Sequence, residues 1–280
     1  MFNFPLSFVE SLLAEDLPLD DVTCRLLGLD DQKGETRALA RDSMVVAGVG
    51  VATSLFRVAG AEATALVKDG QTLSPGQPIL LATGPAEALH AAYKIAQNVL
   101  EYAGGVASRA RLMVEKAKAV AEVEVLVTRK NFPGAKRLSL AAALAGGAQV
   151  HRTGLSDSIL IFAEHREFIG GVAGLARLLP ALAKKTPEKK IAVEVANLEE
   201  AKLVAQAGAD IVQCEKFAES DLKATVLEVR AINPKIKIVA AGGVNGDNAA
   251  AVAATGVDGL VTTWPFFGKP KDVKMEFKAI

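Results

Sequence analysis

Cysteine and histidine are both scarce, with two and three residues in a chain of 280. Cys24 and Cys214 make no metal-type spacing, and His90, His151 and His165 contain no pair at helical or zinc-finger spacing. A disulfide framework is therefore not expected, and an intrinsic zinc or haem site has no support. Charge of one sign is also missing: Lys+Arg and Asp+Glu both number 32. No global field draws the protein to nucleic acid or to an anionic membrane, so neither is expected as a partner. Long apolar runs are absent too. The best, from Phe168 to Ala183, is interrupted by Arg177 and Pro180, and falls short of the roughly 18 residues a membrane-spanning helix needs. The N-terminal segment lacks the basic n-region of a secretory signal, so a cytoplasmic, reducing location is expected. There is neither an internal repeat nor a low-complexity tract. What remains is an ordinary globular composition, 50% hydrophobic and 23% charged, long enough for two domains or one large barrel with an appendage.

From about Val123, short apolar runs alternate with segments of helical period. The runs are 123–127, 158–162, 191–195, 210–214, 236–240 and 258–262. This rhythm predicts a parallel sheet, and the consecutive apolar residues predict strands covered on both faces, preferably closed as a barrel. Helices are expected at Asn197 to Ala207, with Asn197 as N-cap, Glu200 reaching back and Gly208 as the stop, and at Asn245 to Ala254. The first hundred residues differ. A short strand at Thr36 to Arg41, turns at Lys68-Asp69-Gly70 and Ser74-Pro75-Gly76, and the run Ile79 to Ala82 predict a separate α+β domain. A helix from about Ala88 to Tyr102 turns Ile95, Ala96, Val99 and Leu100 inward and Lys94, Asn98 and Glu101 outward. Gly104-Gly105 then reads as a hinge into the barrel.

Between Thr128 and Arg152 stand Arg129, Lys130, Lys136, Arg137, His151 and Arg152, without one Asp or Glu. Like charges about 4 Å apart repel by about 4 kcal/mol at intermediate dielectric, so such a cluster is either a solvated face or an anion site. Arg129 and Lys130 directly follow a strand, and in a β/α barrel the strand C-termini open onto the active-site face. In 191–195, alternation separates Ala192 and Glu194 from their neighbours and sends Glu194 into the lumen near its top. Glu215 ends the next strand at a comparable height. Two acids facing several cations can hold magnesium bridging a phosphate ester, or sugar hydroxyls; alternatively Glu194 neutralises Arg129 or Arg152. The run 236–240 enters Ala241-Gly242-Gly243 ahead of a helix, a context in which the backbone approaches phosphate closely. Neither a Walker nor a Rossmann fingerprint occurs there. Together these residues predict a barrel mouth for a phosphorylated, polyanionic substrate.

The same residues resemble the nicotinate-nucleotide pyrophosphorylase, or quinolinate phosphoribosyltransferase, family across nearly the whole chain. The resemblance is carried by Glu15-Asp16 with Asp21 and Thr23, Thr128-Arg129-Lys130 with Pro133-Gly134, Gly146-Gly147 leading to His151-Arg152 and Gly154-Leu155, Glu194, and Gly242-Gly243. Three stretches, beginning at Gln97, Thr128 and Ala145, are similar to the ModD branch, pyrophosphorylase relatives associated with molybdenum transport and utilisation. The resemblance implies a type II phosphoribosyltransferase-like α/β fold: an N-terminal α/β sandwich at 1–105, to which a tail at about 268–280 returns, and an open, TIM-like α/β barrel at 106–267. It implies a pentosyltransferase that moves phosphoribosyl from phosphoribosyl pyrophosphate (PRPP) to an anionic nitrogen-base acid, with magnesium, in a homodimer whose sites are shared through Lys94. Carried over, Lys94, Arg129, Lys130, His151, Arg152 and Phe162 face substrate. Ala241, Gly242, Gly243 and Thr263 face phosphate. Glu194, Glu215 and Lys130 are catalytic, the two acids also serving magnesium, through PRPP or water.

The chain departs from the quinolinate pattern in ways that bear on the acceptor. Lys94 stands for an arginine, Phe162 for a lysine, Glu215 for an aspartate, Ala241 for a serine and Thr263 for a glycine. Replacing arginine with lysine loses a planar bidentate grip, and Phe162 removes a cation outright. An acceptor other than quinolinate is therefore expected. Two other classes compete. A non-catalytic molybdate or oxyanion binder could use the same cations, although two acids at the rim repel a bare oxyanion. A Schiff-base aldolase needs a lysine in mid-strand, and the strands offer only Lys237, near a strand start.

Overall fold

Alternation in the first hundred residues becomes an antiparallel sheet. The structure, a computed structural model, describes residues 3–29 and 31–280. It divides into two units: Met1–Arg111 with Phe132–Gly147 and Pro265–Ile280, and Leu112–Asn131 with Ala148–Trp264. In the first unit, β1 (Lys33–Ala40) buries Gly34, Thr36, Ala38 and Ala40 on one face. It pairs antiparallel with β5 (Pro78–Pro85) and β13 (Val273–Ala279), while β3 (Glu62–Ala65) flanks β5. A small ladder joins β2 (Met44–Val45) to β4 (Thr72–Leu73). Both expected turns form, with Gly70 and Gly76 at φ +90° and +87°, a region that only glycine enters without strain. Helices α1 (Leu6–Asp16), α2 (Val22–Leu27), α3 (Val49–Val58), α4 (Ala86–Lys118) as far as Arg111, and α5 (Lys136–Ala145) also belong to it. Phe56, Leu55, Ile79, Leu80, Leu89 and Leu100 are fully buried in its core.

Asp21 caps α2: its Oδ1 accepts the N–H groups of Thr23 and Cys24 at 2.9 and 3.0 Å, and its Oδ2 accepts the Cys24 thiol at 3.1 Å. These bonds to the charged form hold its carboxyl below the usual carboxylate range. Asp21, Cys24 and His90 bring three ligand-type atoms within 4.8 Å of one another; the cap accounts for the first two, and His90 packs against the Tyr93 and Phe277 rings. Neither cysteine forms a disulfide among the described residues.

The Gly104-Gly105 hinge does not exist. α4 runs unbroken for 33 residues through both glycines, and Ile95, Ala96, Val99 and Leu100 face inward as expected. The glycines serve close packing instead. A methyl group at Gly105 would stand 2.7 Å from the Lys269 carbonyl oxygen, whereas one at Gly104 would press on the flexible end of Met44 and otherwise make ordinary contacts with Val45 and Lys271. Gly→Ala in a helix interior is favourable by about 1 kcal/mol when nothing intrudes. Gly105→Ala is nonetheless expected to destabilise, by about 1–3 kcal/mol, while Gly104→Ala stays near neutral. Urea unfolding of the two variants checks this; a more stable Gly105→Ala would contradict the packing account.

The second unit holds seven parallel strands. They are β6 (Glu124–Val127), β7 (Gln149–Val150), β8 (Ile159–Ile161), β9 (Ile191–Val195), β10 (Ile211–Glu215), β11 (Lys237–Ala241) and β12 (Gly259–Thr262), in the order β7-β6-β12-β11-β10-β9-β8. β7 and β8 follow one another in the chain yet stand at opposite edges, so this is the open α/β barrel expected. Six strands lie within a residue of the predicted runs; the two-residue β7 was not foreseen. Helices α6 (Ala163–Glu167), α7 (Gly171–Lys185), α8 (Leu198–Gln206), α9 (Glu219–Ile232) and α10 (Ala249–Ala253) fall between them. Leu126, Ile211, Val239, Ala241 and Val261 fill the lumen with apolar side chains. Parallel pairing then leaves all seven C-terminal ends opening on one side.

Two helix starts differ from expectation. Asn197 does cap α8, its Oδ1 accepting the Glu200 N–H at 2.9 Å, but the Glu200 carboxylate reaches the Ala196 N–H and the Arg166 guanidinium rather than the cap itself. α10 begins at Ala249, four residues after Asn245. Asn245 and Asn248 exchange backbone-to-side-chain bonds at 2.8 and 3.3 Å and take up the first turn as a cap. Lys237, the aldolase candidate, opens β11 exposed and paired with Asp258 at 2.9 Å. No helix among the described residues is long and apolar enough to cross a membrane.

Candidate active site

All seven strands of the second unit contribute to one cavity of about 760 Å³ at their C-terminal ends. Four of its basic side chains arrive from β6 and β7: Arg129 and Lys130 follow the first, His151 and Arg152 the second. Arg152 is only 5% exposed, yet among the described residues no carboxylate lies within 4 Å of it. Its guanidinium instead sits 5.4 Å from the centre of the Phe162 ring, which stacks on His165 at 5.8 Å. Burial, Arg152 and Arg129 together hold the His151 imidazole below its ordinary value. It is therefore neutral at physiological pH and offers a hydrogen bond rather than a charge. Lys136 and Arg137 do not join this wall; they open α5 in the first unit, where Arg137 donates to the Asn3 carbonyl. Lys94 is likewise in the first unit, exposed, bonded to Gln97 at 2.9 Å and set over the Tyr93 ring.

The acids come from the adjacent strands β9 and β10. Register places Gln213 opposite Glu194, and the Gln213 amide donates to Glu194 Oε2 at 2.8 Å. Neither Glu194 nor Glu215 forms an ion pair among the described residues, so the reading in which Glu194 neutralises Arg129 or Arg152 fails. Burial and the neighbouring Glu215 carboxylate push the Glu194 carboxyl above its usual range; the Gln213 hydrogen bond, and after it Arg166, offset this only in part. Gln213 is 4% exposed, and its Oε1 is buried without a donor.

Between cations and acids lies the glycine loop after β11. Gly242 and Gly243 take φ of +82° and +79° in succession. A side chain at Gly242 would strike Glu215 Oε1 at 2.7 Å, whereas Gly243 faces open space. The side-chain amides of Asn245 and Asn248 both donate to the Gly243 carbonyl. Among the described residues the N–H groups of Gly242, Gly243 and Val244 have no acceptor, which makes the loop a nest for an anion. Ala241 ends β11 beneath it. On its other flank Thr263 exchanges a hydroxyl bond with Thr128 at 2.8 Å.

The cavity thus gathers Arg129, Lys130, His151, Arg152, Phe162, Glu194, Glu215, Ala241, Gly242, Gly243 and Thr263. Glu164, His165, Gln213, Lys216, Asn245 and Trp264 also line it and were not foreseen. Gln213 was within reach, since the alternation that turns Glu194 inward turns Gln213 inward on the next strand. Lys216 was not, because its direction depends on a backbone angle.

Comparison with known proteins bears on this arrangement. Residues 21–104 match the family described as quinolinate phosphoribosyl transferase, N-terminal domain, and residues 106–276 match its C-terminal domain. A Rhodobacter capsulatus protein named "Putative pyrophosphorylase ModD" is 43% identical over 259 residues, which covers 91% of this chain and 98% of that one. A Pasteurella multocida protein of the same name is 33% identical, covering 98% of each. The solved nicotinate-nucleotide pyrophosphorylase of Francisella tularensis superposes with a TM-score of 0.90 at 25% identity, over 99% of this chain and 98% of that one.

Proposed function

The chain belongs to the quinolinate phosphoribosyl transferase family, and from that premise we propose that it transfers phosphoribosyl from PRPP to the ring nitrogen of an anionic heterocyclic acid. The observation that carries this reading is the convergence on one cavity of cations without carboxylate partners among the described residues, two carboxylates and a nest of free amides. The amides of Gly242, Gly243 and Val244 receive the 5′-phosphate, with Ala241 and Thr263 alongside. Arg129, Lys130 and Arg152 face pyrophosphate and the acceptor's acid group, and His151 adds a neutral hydrogen bond. As the acceptor nitrogen's electron pair bonds to the anomeric carbon, the bond to pyrophosphate breaks. Positive charge grows on the sugar, where Glu194 and Glu215 stand, and negative charge on the departing oxygens near Lys130. Fixed charges so placed act without reorganising.

The donor set fits magnesium. Glu194, Glu215 and the unpartnered Oε1 of Gln213 supply only oxygens, which hard divalent cations take. When bound, the ion screens the pyrophosphate charge and orients the donor. The acceptor is not chiefly quinolinate in this reading: Phe162 lines the wall as an uncharged ring, and a neutral His151 leaves fewer charges for a dicarboxylate. Lys94, exposed on α4, completes a partner subunit's site in a cytoplasmic homodimer. A link to molybdenum utilisation belongs to this reading only through the resemblance of the chain to the ModD branch. Simple oxyanion binding is disfavoured by Glu194 and Glu215, which repel molybdate. Incubation with PRPP, magnesium and a panel of pyridine, pyrimidine and other nitrogen-base acids is expected to release pyrophosphate with at least one of them. Molybdate stabilisation without any response to PRPP would reject the transferase reading, and tight quinolinate binding with full turnover would reject the altered acceptor.

A further inference from the structure

We propose that Lys216 is the cation that grips the phosphate end of the donor and makes the site demand a phosphorylated sugar. This rests on the transferase reading above. Lys216 is the one non-glycine residue among those described with a positive φ, at 57°. An L side chain is strained there, and such strain persists where the surroundings impose it. They do: the Lys216 N–H donates to the Ala241 carbonyl at 2.7 Å, pinning the turn to the end of β11. The side chain then lies across the glycine loop, its Cγ only 2.5 Å from where a Cβ on Gly242 would stand. Gly242 is thus required twice, for its own backbone angle and for the passage of this lysine.

Topology singles Lys216 out among the cavity's cations. The neighbours of β11 are β10 and β12, so a residue following β10 flanks the glycine loop directly. Arg129, Lys130 and Arg152 follow β6 and β7, on the far side of β12. The Lys216 ammonium has neither an ion pair nor a hydrogen bond among the described residues, not even with adjacent Glu215. The free amides of the loop donate to any oxygen ligand of suitable shape, whereas an ammonium carried by a side chain that crosses the loop adds charge-assisted bonds that favour a phosphate over a hydroxyl. An ammonium is a mobile point charge, suited to following phosphate oxygens rather than matching a planar carboxylate.

The test uses the full-length protein and ribose 5-phosphate as a probe of that end of the site, with PRPP and magnesium titrated separately. Lys216→Asn keeps a residue tolerant of the left-handed region while deleting the charge. It is expected to leave the melting temperature unchanged and weaken ribose 5-phosphate binding about tenfold or more in calorimetry. Lys216→Arg should stay within about threefold of the parent. Lys216→Gly relieves the backbone and should melt higher while binding as weakly as Lys216→Asn, which keeps the test open if the asparagine variant folds poorly. Equal affinity of the parent, Lys216→Asn and Lys216→Gly for ribose 5-phosphate would overturn the assignment. A parent protein that binds neither ribose 5-phosphate nor PRPP would instead overturn the transferase reading.

Discussion

Arg152→Met is expected to lower the proposed phosphoribosyl transfer by about a hundred- to a thousandfold while the melting temperature holds or rises. Both halves follow from one geometry. Arg152 is 5% exposed, lies against the Phe162 ring and has no carboxylate within 4 Å among the described residues. Burial and then Arg129 pull its guanidinium below the ordinary value, and Asp157 compensates only in part. A charge kept from water without a paired carboxylate destabilises the fold, and methionine fills similar space and can still touch the ring. Its loss should therefore relieve the protein and impair the site. Arg166 is the internal control. It is also buried, but its guanidinium meets the Glu200 carboxylate at 2.9 Å, and breaking a buried pair costs about 3–5 kcal/mol. Arg166→Met is expected to lose stability where Arg152→Met does not. Rates of pyrophosphate release and thermal melts of both variants decide it. A marked fall in melting temperature for Arg152→Met, with turnover intact, would make Arg152 a packing residue.

That contrast also marks how far the sequence could be read. Strands covered on both faces announce themselves as apolar runs, so six of the seven barrel strands and the inward turn of Glu194 were legible. The period-2 rule that places Glu194 needs only local backbone geometry. The cationic segment from Arg129 to Arg152 was legible as a bias but not as a partition. Whether Lys136 and Arg137 join Arg129 depends on where α5 packs, which is a tertiary outcome. Gly104-Gly105 misled for a similar reason, since a glycine pair signals either flexibility or close approach. Only the nearness of the Lys269 carbonyl shows which. Two-residue β7 carries too few side chains for a period, and the left-handed turn at Lys216 follows from a bond to Ala241 on another strand.

Glu194→Gln is expected to give the second large effect, stabilising the protein progressively as pH rises while lowering turnover about a hundredfold or more. The Glu194 carboxyl lies above its ordinary value of 4.5 because it is buried and faces Glu215. A carboxyl raised on folding binds its proton more tightly in the native state than in the unfolded one. Stability is therefore unpenalised at low pH and falls as pH climbs from the ordinary carboxylate value through the raised one. Asp258 works in the opposite sense: hydrogen bonds from Lys237, Ile238 and Arg230 outweigh its burial and lower its carboxyl. Its contribution is present above the unfolded value and lost on acidification. Because Asp258 is common to both proteins, the difference between parent and variant isolates Glu194. The amide introduced by Glu194→Gln would still accept the Gln213 N–H through its oxygen, so packing is kept while the charge proposed to face the sugar is removed. Urea unfolding of both proteins from about pH 4 to pH 8, where the unfolded carboxyl passes from protonated to ionised, should show the variant's advantage opening and then levelling off. A flat difference across that range would mean that Glu194 does not feel burial and Glu215 as placed here. Full turnover by Glu194→Gln would remove its carboxylate from the chemistry altogether.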